Sequence, residues 1–145
     1  MIDVKESYKA MTLRIMANFQ LLELTLKIYI GRAYEFIEIV LADRMHFAYS
    51  IKDVENHSLE KLLTTFAKLN SNIELIQRLN KLREKRNHVA HESLLITLGA
   101  MKNVELLHTK HGEFFHLEDE LAECLTLIIE ETRKLHAGFG IEIKH

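Results

Sequence analysis

Proline is absent from the 145 residues and glycine occurs only five times. Almost nothing therefore interrupts a helix, and no Gly- or Ser-rich linker divides the chain, so a single domain over 1–145 is expected. Cysteine is nearly absent too: Cys124 has no partner for an intramolecular disulfide. It falls in the apolar run AECLTLII, where a small buried thiol is expected rather than a nucleophile, and a reducing, cytoplasmic setting follows. Charge of one sign is also lacking. The 19 Lys and Arg nearly balance 21 Asp and Glu, so no global basic field holds a nucleic acid, and any such contact must be local. Long apolar runs are missing: FQLLELTLKIYI is cut by Glu23 and Lys27 well short of the ~20 residues a membrane span needs. The opening MIDVKESYKAM has neither the basic nor the apolar segment of a secretory signal, so neither secretion nor membrane insertion is expected.

What remains is helical rhythm, in a chain 48% apolar and long enough to bury a core. Asp3 with Glu6 marks a helix start, and Ile15, Met16, Phe19, Leu22, Leu26, Tyr29 and Ile30 recur at three- and four-residue steps. Tyr34, Ile37 and Leu41 continue the step, whereas MHFAYSIKDVENH reads as an irregular connection. Ser58 opens a helix with Leu59, Leu62, Leu63, Phe66 and Leu69 on one face, and Ser71 with Glu74 forms an S-x-x-E capping box for the next. These two helices are expected to pair antiparallel. VELLHTKHGEFFHL carries two short apolar runs about Lys110, His111 and Gly112 and reads as a β-hairpin over about 103–117. A last helix is expected from about Leu117 to Ala137, with Leu121, Cys124, Leu125, Ile128 and Leu135 inward and Gly138 as its stop. The expected fold is all-α: an antiparallel bundle of four to five helices with a small β-hairpin appendage.

The third helix breaks its own pattern. Its apolar stripe runs Leu75, Leu79, Leu82, then position 86, then Val89 and Ala90. At ~100° per residue Arg86 lies within about 20° of Leu75, at the centre of that stripe. A guanidinium turned toward a core needs a carboxylate, a phosphate or a wet interface beside it. His91 is about 140° further round, and Asn87 precedes it by one turn, where its amide could orient the imidazole. On the residues alone, a buried salt bridge to another helix is the favoured reading of Arg86, with His91 an ordinary helix C-terminal histidine.

RNHVAH, with Arg86, Asn87 directly after it, and His91, resembles the RxxxxH signature of the HEPN superfamily (higher eukaryotes and prokaryotes nucleotide-binding). The preceding SLEKLLTTFAKLNSNIELIQRLNKLREKR is similar to the helix pair leading to that motif. The likeness is detailed over 58–95 and extends as a bundle over about 5–137. It implies a dimer whose motifs face each other, and metal-independent endoribonucleases of toxin–antitoxin or phage-defence systems, alongside inactive members that bind RNA, nucleotides or proteins. By position it makes Arg86 and His91 catalytic and Asn87 supporting. RNA supplies its own nucleophile, the 2′-hydroxyl; a histidine moves the proton and Arg86 stabilises the phosphate, with no metal or other cofactor. General base and general acid are two roles and one chain has one such histidine, so a homodimer is expected, with a protein antitoxin as a further partner.

Arg83, Lys85 and His88 are candidates for guiding the RNA backbone, although Lys81 and Lys85 also suit a plain solvated face. Glu84, His88 and His91, at i, i+4 and i+7, offer a competing metal reading, weakened because no second Glu-x-x-His helix is evident. His108, His111 and His116 read as surface histidines. The alternative to an enzyme is a non-catalytic helical module that binds RNA, a nucleotide or a protein at the same cleft.

Overall fold

The structure is a computed structural model that describes residues 4–97 and 104–138. Four α-helices carry it: α1 Val4–Leu41, α2 Leu59–Leu69, α3 Ile73–Thr97 and α4 Val104–Gly138, with 3-10 turns at Ala42–Arg44 and Ile51–Asp53 between α1 and α2. Among the described residues there is no strand.

The 38 residues of α1 bury one continuous face: Tyr8, Met11, Ile15, Phe19, Leu22, Leu26, Tyr29, Ile30, Ala33 and Phe36. This is the three-and-four step of an amphipathic helix carried unbroken for about eight turns. Leu59, Leu62, Leu63 and Phe66 of α2, Leu75, Leu79, Leu82 and Val89 of α3, and Phe114, Leu117, Leu121, Cys124 and Ile128 of α4 close on it as one core. Leu69, Leu125 and Leu135 pack at its edge, and Ala90 is exposed.

The contacts fix the helix directions. Tyr8 stacks on Phe114 with ring centres 5.2 Å apart, Arg14 reaches Glu118 at 2.9 Å, and Phe36 meets His136 at 5.1 Å, so α1 and α4 run parallel. α3 opposes both: Arg78 bonds Glu120 at 2.8 and 2.9 Å, and Asn72 bonds Glu131 at 2.9 Å. α2 and α3 form the expected antiparallel pair, tied by Arg83 to Glu60 at 3.4 Å. A wholly antiparallel bundle is thus not what forms. The reason lies in residues 42–58, which turn back along α1: Phe47 and Tyr49 pack on Tyr34, and Ile51 lies against Gly31, where a Cβ would come within 2.9 Å of the Ile51 Cβ. The connection serves as the descending segment, so α2 starts midway down α1 and runs the same way. Ala42, at φ 47°, ends α1 with the left-handed residue that releases the chain.

Two local expectations are corrected. Residues 104–117 are the first turns of α4, not a hairpin; position 103 lies outside the described residues, as does the Asp3 start signal. Phe114, Leu117 and Leu121 keep the three-and-four step of the rest of α4, and their burial outweighs the ~1 kcal/mol that a mid-helix glycine such as Gly112 costs. The cap of α3 is Asn72, whose Oδ1 accepts from the Leu75 amide at 3.1 Å, rather than Ser71. Ser58 caps α2 as expected, accepting from Lys61 N at 3.4 Å.

The α2–α3 turn is held by Glu131, which accepts from Asn72 at 2.9 Å and Asn70 at 3.3 Å, while Asn70 also donates to the Tyr29 hydroxyl at 3.0 Å. Glu131→Ala removes the acceptor for two part-buried amides and should lower unfolding free energy by about 1–3 kcal/mol in urea denaturation, with Tyr29→Phe costing less.

Candidate functional site

α3 places Arg86 on the face turned toward α1, as the stripe requires. Its guanidinium is half-buried, with Nη2 3.7 Å from Glu23 Oε1. Its Nε is buried and has no hydrogen-bond partner among the described residues. Glu23 stands partly buried at the edge of the apolar face of α1, so α3 supplies a cation turned toward the core and α1 an anion beside it. The pair is long for a charge-assisted hydrogen bond, which favours ~2.7–2.9 Å, and it leaves donor capacity on the arginine.

Arg83, one turn earlier, leans toward α2, and with Glu84, Arg86 and Asn87 it lines a cleft of about 360 Å³ closed on the other side by Ser58, Leu59 and Glu60. The α2 N-terminus opens here, and its partial positive charge adds to the two guanidiniums. Glu60, 3.4 Å from Arg83, and Glu23 offset both. The cleft is therefore cationic in its donors but close to neutral in total, and an incoming anion must displace a carboxylate.

His91 stands exposed on the outer face of α3 and is not among the residues lining that cleft. Asn87 is also exposed, one turn before it on the same outer side. Within one chain, then, Arg83, Arg86 and Asn87 come together, whereas Arg86 and His91 point apart, as their 140° separation on a straight helix requires. Lys85 and His88 lie elsewhere again, on a smaller hollow of about 170 Å³ beside Val89, Glu113, Phe114 and Leu117. His88 Nε2 is 3.7 Å from Glu92 Oε1, an ion pair when the imidazole is protonated. Among the described residues no group of three His, Cys, Asp or Glu is placed to hold a metal ion, so Glu84, His88 and His91 do not converge. His116 is exposed at the start of the well-packed part of α4, with its ring 6.2 Å from Phe115. The side chains of His108 and His111 lie outside the described ones.

Sequence reasoning missed Glu23, Glu60 and the α2 N-terminus as parts of this cleft. Glu23 did announce itself, as a carboxylate cutting the apolar run FQLLELTLKIYI; which cation it meets depends on helix packing and is not encoded locally.

No family model matches the chain, nor does any curated protein or any solved structure. Among the described residues no helix is long and apolar enough to cross a membrane.

The remaining nucleophile, Cys124, is fully buried, with Sγ 3.5 Å from Glu120 Oε1. Burial first, then the Glu120 carboxylate, push its thiol up to about 12, so thiolate is scarce at neutral pH. Native protein at pH 8 should be inert to a disulfide reagent such as DTNB and become reactive only in denaturant; rapid labelling of the folded chain would contradict this packing.

Proposed function

We propose that the chain is a metal-independent endoribonuclease of the toxin or phage-defence kind, with Arg86, Asn87 and His91 as its working residues. The observation that supports this best is their placement along the last turns of α3: two arginines and an amide line an open cleft, while a histidine stands on the accessible face beside it. Arg86, aided by Arg83, binds the scissile phosphate and stabilises the charge that develops on it. An imidazole takes the 2′-hydroxyl proton, and the oxygen attacks the adjacent phosphorus as the 5′-oxygen leaves. A second imidazole returns a proton to that leaving oxygen. The products are a 2′,3′-cyclic phosphate and a 5′-hydroxyl. Because Arg86 and His91 diverge within one chain and acid and base are separate imidazoles, the site is composed from two chains, which bring both Arg86 and both His91 to one phosphate in an RNA-bound pair. A protein antitoxin would act by covering this outer face of α3.

The test is incubation of mixed RNA with purified protein in EDTA. Wild type should cleave and leave 2′,3′-cyclic ends; His91→Ala and Arg86→Ala should each lose at least 100-fold in rate with unchanged circular dichroism. Mixing the two inactive variants should restore no activity, because a mixed pair holds one His91 where the reaction uses two.

A second reading, a non-catalytic RNA- or nucleotide-binding module, is favoured by one feature: both cleft arginines already face carboxylates. Under it the wild type leaves RNA intact, and Glu23→Gln, by freeing Arg86, should tighten binding of a short RNA several-fold in a fluorescence-anisotropy titration. Unchanged affinity would remove the cleft from the binding site.

A further inference from the structure

α1 has a second apolar face that none of the described residues covers. Ala10, Leu13, Ala17, Leu21, Leu24 and Ile28 follow one another at three- and four-residue steps, and all are exposed. The large ones are far from marginal: Leu13 is 70% exposed, Leu24 52%, Leu21 47% and Ile28 44%. From Leu13 to Ile28 the stripe spans about 22 Å along the helix, and it sits roughly 150° round from the buried face. α4 continues it. Phe115, Ala122 and Ile129, seven residues apart and so on one line of the helix, are exposed, with Phe115 at 56% and Ile129 at 47%. The Arg14–Glu118 bridge, at 2.9 Å, lies in the seam between the two stripes and neutralises the charge there. Two parallel helices thus present one apolar, charge-depleted sheet of side chains, where a monomer's exposed apolar residues are ordinarily scattered singly.

We propose that this α1/α4 face is the contact through which the chain pairs with a second copy of itself, by an isologous two-fold with the α1 helices crossing antiparallel. The residue sizes argue for self-pairing. About a centre between Gln20 and Leu21, antiparallel α1 helices set Leu24 opposite the partner's Ala17 and Ile28 opposite the partner's Leu13. Ala17 then leaves room for Leu24 near the centre, and Leu13 and Ile28 meet as an apolar pair at each end, which suits close helix packing at 8–10 Å. A footprint about 22 Å long and two helices wide covers roughly 450 Å² on each copy, so the pair approaches the ~1,000 Å² at which specific interfaces begin. The face is turned away from His91, which points out from the far side of α3. The contact therefore stands whether or not the RNA-cleavage reading does, and if both hold, it tethers two catalytic pairs without occupying either.

Sedimentation equilibrium at tens of micromolar, without RNA, is the deciding measurement. Wild type should show twice the 17.0 kDa chain mass. Leu24→Glu and Ile28→Glu, both at exposed sites and so compatible with a native circular dichroism spectrum, should each give a monomer. Leu21→Cys, close to the two-fold centre, should oxidise to a disulfide-linked dimer, whereas His91→Cys should not; the native thiol is buried and does not compete. A monomeric wild type, a dimer that survives Leu24→Glu with Ile28→Glu, or cross-linking at position 91 in place of 21 would each overturn the assignment.

Discussion

The fold depends on the buried face of α1. Every other described α-helix packs against it, and its unbroken three-and-four step over about eight turns sets the length of the core. A helix about 57 Å long cannot be covered by one short partner. The chain covers it with α4 along most of its length, with α2 and α3 over its middle and N-terminal parts, and with the returning connection near its C-terminal end, where Ile51 and the Phe47–Tyr49 pair lie against it. That division of labour explains why α1 and α4 are parallel and why α2 begins where it does. Gly31 belongs to the same logic, since the close approach of Ile51 leaves no room for a side chain there.

Charge follows the same geometry. Arg78 of α3 sits against Glu120 and Glu123 of α4, and these hydrogen bonds hold the Glu120 carboxyl below the ordinary carboxylate range against the opposing effect of its partial burial. The group's folded value is depressed, so its contribution is present at neutral pH and is lost as the pH falls through that value. The pair is about a third exposed, and solvent screening keeps its contribution modest. Its larger role is register: bidentate at the α3–α4 contact, it fixes which turn of α3 faces which turn of α4, and through that the direction in which Arg86 points.

Much of this was legible in the sequence, because burial writes itself into periodicity. Most apolar positions named for α1, α2 and α3 are core, with Met16, Tyr34 and Leu69 at its edge and Ala90 exposed, Ser58 does cap α2, and the absence of proline and linkers matches the all-helical described residues. Two kinds of information were not legible. Local signals with near-equal alternatives misled: a Lys-His-Gly triplet between apolar runs suits a hairpin turn, but a helix absorbs one glycine when Phe114 and Leu117 gain a core. Ser71 looked like the cap although Asn70 and Asn72 beside it have side chains that do the same work, and only their neighbour Glu131 on a distant helix selects Asn72. Helix direction was also out of reach, since periodicity is blind to which end of a partner lies beside which.

The site was legible to the same degree. Arg86 was recognisable as a cation in an apolar stripe, and it does turn toward the bundle. Its partner was not recognisable, because Glu23 and Arg86 are brought together only when α1 and α3 oppose one another. That pairing has a chemical consequence. A phosphate entering the cleft must compete with Glu23 for a guanidinium that is already partly satisfied, so the binding energy recovered is the difference between two ionic contacts rather than the whole of one. The 3.7 Å separation and the spare Nε make the existing contact the weaker of the two. A carboxylate held at that distance keeps the arginine oriented in the free protein yet yields to an anion able to take two donors at once, which is what the proposed phosphodiester binding requires of a cleft of near-zero net charge.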